Sequence, residues 1–334
     1  MSRNVLLIEP TIRKAGVDIL QKECNIFMAP DGSEETIIQY INKFNIDAIV
    51  TRLEKITRKV IENCKGLKII AQNGVGVDNI DVDAASEQGI MVLNIPDIEL
   101  AGVAEHALMF ILALSKDVFA ADKNLRTGNW AYKETSYQME INNKNLLIIG
   151  LGNIGKILAK KAIALEMNVK AFDPYVSKET MEAIKVRKAE SLEDGLSWAG
   201  FISIHTPLTK ETRYLISYKE FKFIKKTAYL INLGRGPIVN EKALYEALKN
   251  KEIAGAGIDV FEVEPVSADN PLFELENIIV TPHVGGGTDG LDKCSVKTAT
   301  RLIEALDGKR PFNIFNRVQL FGKELISENK LSNE

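Results

Sequence analysis

The stretch Leu146 to Gly155 reads LLIIGLGNIG, an apolar run that ends in a glycine-spaced turn and opens a helical pattern. It stands in mid-chain, and Asp173 closes the next apolar run, Val169 to Phe172. Strand, G-x-G-x-x-G turn, amphipathic segment and carboxylate in this order form a dinucleotide fingerprint in context. Gly150 permits the tight turn, Gly152 lets backbone N–H groups approach a pyrophosphate, and Gly155 lets the following helix pack closely on the strand. The phosphates then face the helix N-terminus, with Asn153 and Ile154 beside them. Asp173 accepts from adenosine ribose hydroxyls, and its charge repels a 2′-phosphate; Pro174 and Tyr175 follow it, with no arginine to hold such a phosphate. The expected cofactor is therefore NAD rather than NADP.

A chain of 334 residues exceeds the usual size of one core, so two domains are expected. The balance of 42 basic against 45 acidic residues gives no general electrostatic case for nucleic acid or an anionic membrane as partner. The N-terminal apolar stretch is too short for a signal-peptide core and reads as a strand, implying no export. Cys24, Cys64 and Cys294 are widely spaced without a C-x-x-C pattern, which suits reduced thiols in a cytoplasmic protein and no metal site. The longest apolar run, Ala107 to Leu114, is far below the roughly 20 residues that span a bilayer. It reads as part of a buried helix from about Ala101 to Leu125, apolar nearly all round, and a homodimer through residues 101–142 is expected.

Short apolar runs alternate with helical patterns throughout. Val5 to Ile8, Ala48 to Thr51, Leu67 to Ala71 and Met91 to Ile95 form one series of buried strands. A second runs from Leu146 through Val169–Phe172, Phe201–His205, Ala228–Leu233, Ala256–Val260 and Ile278–Thr281. The expected fold is α/β, with two Rossmann-like or flavodoxin-like doubly wound parallel-sheet domains and a cleft between them. Residues 101–292 form the NAD-binding domain. Residues 1–100 plus 293–334 form a discontinuous substrate domain, with hinges near Pro96 and Gly287. Only Ser327 to Glu334 reads as disordered.

Three polar clusters fall at predicted carboxyl ends of strands, where open α/β sheets place ligand sites. They are Asn232-Leu233-Gly234-Arg235-Gly236-Pro237, Asp259 to Pro265, and Thr281 to Gly287. Taken singly, an arginine there is a solvated charge and a histidine a hydrogen-bonded core residue. Together, in a domain assigned to a nicotinamide cofactor, they suit hydride exchange with a secondary alcohol. That chemistry needs a group to move the hydroxyl proton and a fixed cation to hold a carboxylate-bearing substrate. His283 suits the first role and Arg235 the second, with Glu264 as the carboxylate partner that favours the charged imidazole.

The ordered set GLGNIG, Asp173, NLGRGPIVN, GIDVFEVEP and TPHVGGGT resembles the D-2-hydroxyacid dehydrogenase family over most of the chain. The resemblance implies His283 as acid/base, Glu264 as its partner and Arg235 as the substrate arginine. It also implies Asp259 beside the nicotinamide carboxamide and Thr206 and Pro207 lining the cofactor. The loop Asn73 to Asp81 is similar to the family loop that receives the substrate carboxylate, which implies Asn73, Val75 and Gly76 as substrate-binding. His106 falls at the family's interdomain hinge and His205 at a strand end, and neither is the expected proton carrier.

The resemblance has two departures. Family members that act on 3-phosphoglycerate commonly carry an arginine after the third strand, where this chain has Thr51, with Arg52 one residue late. Many relatives have asparagine where this chain has Glu99. The implied substrate is a small 2-hydroxy or 2-keto acid, with 3-phosphoglycerate, glycerate, hydroxypyruvate and lactate all open. A second class of function also stays open, an NAD(H)-sensing binding protein resembling the C-terminal-binding-protein corepressors. Against it stands only the lack of a long disordered tail or basic segment.

Overall fold

Apolar runs too short for helices and rich in branched residues pair here as parallel strands in two separate sheets. The computed structural model describes residues 3–8, 11–96, 98 and 101–322. Glu99 and the segment Ser327–Glu334, both singled out above, lie outside the described residues. The chain divides into two compact units, one within residues 1–98 and 289–334, the other within 99–288.

In the first unit the strands are β1 (Asn4–Ile8), β2 (Asn25–Ala29), β3 (Ala48–Thr51), β4 (Ile69–Gln72) and β5 (Met91–Leu93), ordered β2-β1-β3-β4-β5 and parallel throughout. Alternate residues of β1 feed two cores: Leu6 and Ile8 pack into one, Val5 and Leu7 into the other. A sheet covered on both faces needs this continuous apolar run. Ala299, Leu302 and Ala305 of the helix Gly290–Leu306 complete the second core, so the end of the chain covers one face of the first sheet. The strand order reverses between β1 and β3. Sequence reading missed β2, an edge strand in which only Ala29 is buried. Ile26 to Ala29 is nonetheless an apolar run closed by Pro30-Asp31-Gly32, as short as the runs that mark the other strands.

The second unit holds β6 (Asn145–Ile149), β7 (Asn168–Phe172), β8 (Arg187–Lys188), β9 (Phe201–Ile204), β10 (Tyr229–Asn232), β11 (Gly255–Ile258) and β12 (Ile278–Val280). Their order is β12-β11-β10-β9-β6-β7-β8, again parallel. Here too β6 alternates, with Leu147 and Ile149 on one face and Leu146 and Ile148 on the other. The reversal falls between β6 and β9, where the chain leaves β6 through the glycine turn. β8 was not anticipated, having only two residues, both charged.

One expectation needs correction. The segment from Ala101 to Leu125 is two helices, Ala101–Lys116 and Val118–Arg126, broken at Asp117, whose φ of 49° is left-handed. The first buries Phe110 against β11, where a Cβ on Gly257 would come within 2.6 Å of the Phe110 ring. The second buries none of its residues. Among the described residues no helix is long and apolar enough to cross a membrane, and no cluster of three or more His, Cys, Asp or Glu could hold a metal. Among the described residues Cys24, Cys64 and Cys294 form no disulfide, and burial pushes the Cys64 thiol up to about 12.

Candidate active site

The glycine turn after β6 distinguishes its three glycines physically. Gly150 has φ 92°, and a Cβ there would meet the backbone of His205 and Thr206 at 2.8 to 3.0 Å. Gly155, in the first turn of the helix Asn153–Ala164, stands where a Cβ would fall 2.2 Å from the Gly150 carbonyl oxygen. Gly152 is the opposite case, since a Cβ would meet nothing within 4 Å. Open space at the N-cap of a long helix, beside a turn that admits no side chain, fits a pyrophosphate. Asp173 follows β7, accepting from the Leu151 N–H at 2.8 Å through Oδ2 and from the Tyr175 N–H at 2.9 Å through Oδ1. The turn and the carboxylate are thus built as one piece. Thr206 and Pro207 follow β9, next in the sheet to β6, and the Thr212 hydroxyl donates to the Pro207 carbonyl at 2.7 Å.

The three loops that leave β10, β11 and β12 meet. Arg235 follows β10 in a turn fixed by Asn232, which accepts from the Gly234 N–H and donates to the Arg235 carbonyl, both at 3.1 Å. Gly236 admits no side chain, because a Cβ would fall 1.9 Å from the Phe261 carbonyl. That contact seats the arginine turn on the loop after β11. In that loop Glu264 accepts from the Phe261 N–H at 2.9 Å through Oε1, and its Oε2 lies 2.6 Å from His283 Nδ1. Burial alone would raise the Glu264 carboxyl, but the hydrogen bond and charge of His283, the Phe261 N–H and Arg235 together hold it below the usual value. With Nδ1 turned to the carboxylate, Nδ1 carries the proton in the neutral ring and Nε2 is left free of any described residue.

His283 itself has φ 53°, a left-handed conformation that a side chain rarely adopts. Asp259 holds it there. Its carbonyl accepts from the His283 N–H at 2.8 Å, and its carboxylate accepts from the Val284 and Gly285 N–H groups, each at 2.9 Å, and from the Thr281 hydroxyl. Thr281 in turn meets His106 Nε2 at 3.0 Å. Sequence reading gave neither Asp259 nor His106 this place around the histidine loop, because contacts from residues 22 to 175 positions away leave no local signal.

In the first unit, Asn73 is 1% exposed, and its side chain bonds the Thr11 carbonyl at 2.8 Å, Ser295 Oγ at 3.2 Å and the Thr298 hydroxyl at 3.0 Å. The side chain braces the loop from within rather than projecting from it. Val75 and Gly76 follow, and their N–H groups have no acceptor among the described residues. The Val75 carbonyl is tied back by Asn94 Nδ2 at 2.7 Å. Two N–H groups on a loop anchored at both ends can receive an anion.

His205, one residue beyond β9, is not placed for proton exchange. Its Nε2 meets Ser203 Oγ at 2.8 Å, its Nδ1 is enclosed without a partner, and burial pushes its pKa down to about 4. A lowered histidine value means that the unfolded chain binds the proton more readily. Its contribution is therefore complete above about pH 6.5 and is lost as the pH falls toward 4. We predict that His205→Gln flattens the acid limb of the stability curve by about 3 kcal/mol over that interval. Denaturant unfolding at a series of pH values tests this, and parallel curves for the two proteins would contradict it.

A dinucleotide turn at the switch point of a doubly wound sheet, with an Arg, Glu and His loop cluster along the same edge, defines a nicotinamide-dependent α/β protein. Comparison with known proteins places it further. Residues 108–285 match the model described as D-isomer specific 2-hydroxyacid dehydrogenase, NAD binding domain. The chain is 35% identical to the glyoxylate reductase of Pyrococcus furiosus, covering 93% of this chain and 95% of that protein. It is 38% identical to the D-3-phosphoglycerate dehydrogenase of Methanocaldococcus jannaschii over 93% of its length, but spans only 59% of that relative. The structure of Aquifex aeolicus D-lactate dehydrogenase, complexed with NAD and lactic acid, superposes with a TM-score of 0.83 at 28% identity, covering 91% of this chain and 96% of that one. The chain belongs to the D-isomer specific 2-hydroxyacid dehydrogenases, a family of NAD-dependent oxidoreductases.

Proposed function

We propose that the protein interconverts a D-2-hydroxy acid and its 2-keto acid with NAD(H), using His283 as acid/base, Glu264 as its partner and Arg235 as the carboxylate-binding cation. The observation that carries this reading is the 2.6 Å pair between His283 Nδ1 and Glu264, which leaves Nε2 open beside the arginine loop. Bound NAD supplies the hydride acceptor at its nicotinamide ring. The protein's own part is to hold and to move a proton. In the oxidative direction Nε2 takes the hydroxyl proton as the C2 hydride departs, and in reduction it returns that proton to the keto oxygen. Glu264 fixes the tautomer that makes this exchange productive.

The second unit serves as the NAD domain. Gly150, Gly152, Asn153, Ile154 and Gly155 form the phosphate turn, Asp173 meets the ribose, and Thr206 and Pro207 line the cofactor. Asp259, whose carboxylate accepts from the Val284 and Gly285 N–H groups and the Thr281 hydroxyl, supports His283 from behind and is the proposed neighbour of the nicotinamide carboxamide. The first unit is the proposed substrate domain, with the Val75 and Gly76 N–H groups as its anion donors. Following NADH absorbance with glyoxylate, pyruvate, hydroxypyruvate and 3-phosphohydroxypyruvate tests the reading. Turnover of any of these supports it, whereas tight NADH binding without turnover of any 2-keto acid would replace it with an NAD(H)-sensing role.

We also propose a homodimer in the cytoplasm. The free thiols suit a reducing compartment. An open groove of about 700 Å³ is lined by Leu108, Met109, Leu112, Ala113, Val118 and Leu165 among others, and on the second helix Phe119 and Leu125 are 58% and 56% exposed. Contiguous apolar surface of this kind is what a second copy buries. Leu112→Glu is expected to convert a dimer mass to a monomer mass in sedimentation equilibrium at micromolar concentration. A monomeric parent would rule the dimer out.

A further inference from the structure

At the carboxyl ends of β1 and β3, the switch point of the first sheet, hydrogen-bond donors converge on a carboxylate of the chain itself. Glu54 Oε2 accepts from the Arg52 N–H at 2.9 Å, the Leu53 N–H at 3.2 Å and the Thr51 hydroxyl at 3.1 Å, and Oε1 accepts from the Thr11 hydroxyl at 3.0 Å. Room for the side chain depends on Gly32, where a Cβ would fall 2.6 Å from Glu54 Cγ. The loop is braced from the neighbouring strand and the loop after it, since Gln72 Nε2 donates to the Arg52 carbonyl at 2.8 Å and Asn79 Nδ2 to the Glu54 carbonyl at 2.9 Å. The Arg52 side chain is half-buried and makes no ion pair or hydrogen bond with a described residue, and burial together with the charge of Arg13 lowers its pKa.

Successive N–H groups aimed at one point form an anion-binding nest, and doubly wound sheets put ligands at their switch points. Here the anion is internal. The loop offering Val75 and Gly76 leaves β4 directly beside this nest, with Thr51 paired to Gln72 and the Asn73 N–H donating to the Thr51 carbonyl at 2.8 Å. We propose that Glu54 is a built-in anion that occupies a donor nest next to the substrate loop and so selects 2-keto acids carrying one negative charge over those carrying a phosphate. The proposal rests on the dehydrogenase reading above. Removing the carboxylate uncovers two N–H groups and two hydroxyls near the half-buried Arg52, a set suited to a phosphate monoester.

The test compares the parent with Glu54→Ser and Glu54→Gln. We expect Glu54→Ser to raise the ratio of kcat/KM for 3-phosphohydroxypyruvate to that for hydroxypyruvate by roughly tenfold or more. Its Tm should also rise in inorganic phosphate relative to sodium chloride of matched ionic strength, while the parent's does not. Glu54→Gln, which keeps the shape, should move the ratio less and in the same direction. A ratio unchanged in both variants, with both substrates losing rate equally, overturns the proposal and leaves Glu54 as a local brace. If the serine variant does not fold, the glutamine variant decides on the same criterion. If the parent turns over no 2-keto acid, the dehydrogenase reading has failed, and the phosphate-dependent Tm alone decides: a shift upholds the nest and its absence removes it.

Discussion

Replacing His283 by alanine is expected to lower the turnover of the best 2-keto acid by roughly 10²- to 10⁴-fold, the range lost with a positioned acid/base. NADH affinity, read by fluorescence titration, should change little, because the glycine turn and Asp173 lie at the ends of β6 and β7, far along the sheet from β12. The size of the loss follows from how the ring is held. Asp259 fixes the backbone on both sides of His283, and Glu264 fixes Nδ1, so the ring is held with Nε2 in one place. Glu264→Gln leaves the histidine in place but offers a neutral partner. It is expected to cost less, about tenfold in kcat, and to deepen the pH dependence of the rate. Because the Glu264 carboxyl is held below its usual value, the partner is ionised throughout the neutral range, and the difference between parent and variant should persist from about pH 5 upward. A histidine variant with unchanged turnover would remove His283 from the mechanism.

The sequence carried this site because its parts are punctuated. Buried parallel strands must be apolar on both faces, so β6, β9, β10 and β11 stand out as runs. The glycines at 150, 155 and 236 mark places where backbone meets backbone too closely for a Cβ. The chemistry-bearing residues then fall one to six positions after the runs. What was not legible depends on pairing between distant segments or on partial exposure. β8 is an edge strand of two charged residues that nothing local separates from loop, whereas β2, the apolar run Ile26 to Ala29, was legible and was passed over. The break at Asp117 divides a segment whose apolar pattern runs on across it. Asn73 reads from sequence as a loop residue facing a ligand, yet its partners Ser295 and Thr298 arrive from more than 200 residues later and take its side chain into the core. Glu54 shows the same limit. In sequence it is one acidic residue after a strand, and only the folded loop gathers the donors of residues 11, 51, 52 and 53 around it.

Arg235→Gln is expected to reduce kcat/KM for a 2-keto acid by roughly 10²- to 10³-fold, a loss of about 3 to 4 kcal/mol of transition-state binding. Two charge-assisted hydrogen bonds from one planar guanidinium account for that magnitude, and their geometry matters as much as their strength. The arginine is held at its backbone by Asn232, at its turn by the tight approach of Gly236 to Phe261, and at its guanidinium by a 2.9 Å bond to the Gly234 carbonyl, so in the proposed role it would meet a substrate already oriented. Arg235→Lys keeps the charge and loses the fork. It should recover only part of the loss, with KM restored more than kcat, since a point charge attracts the carboxylate without fixing its plane. Fixing that plane decides which face of C2 meets the nicotinamide, so the lysine variant should also turn over the L-isomer of the hydroxy acid at a larger fraction of its D-isomer rate than the parent does. Steady-state kinetics with both isomers reads all three quantities at once. Full recovery by lysine, with no loss of stereochemical preference, would show that Arg235 supplies charge alone.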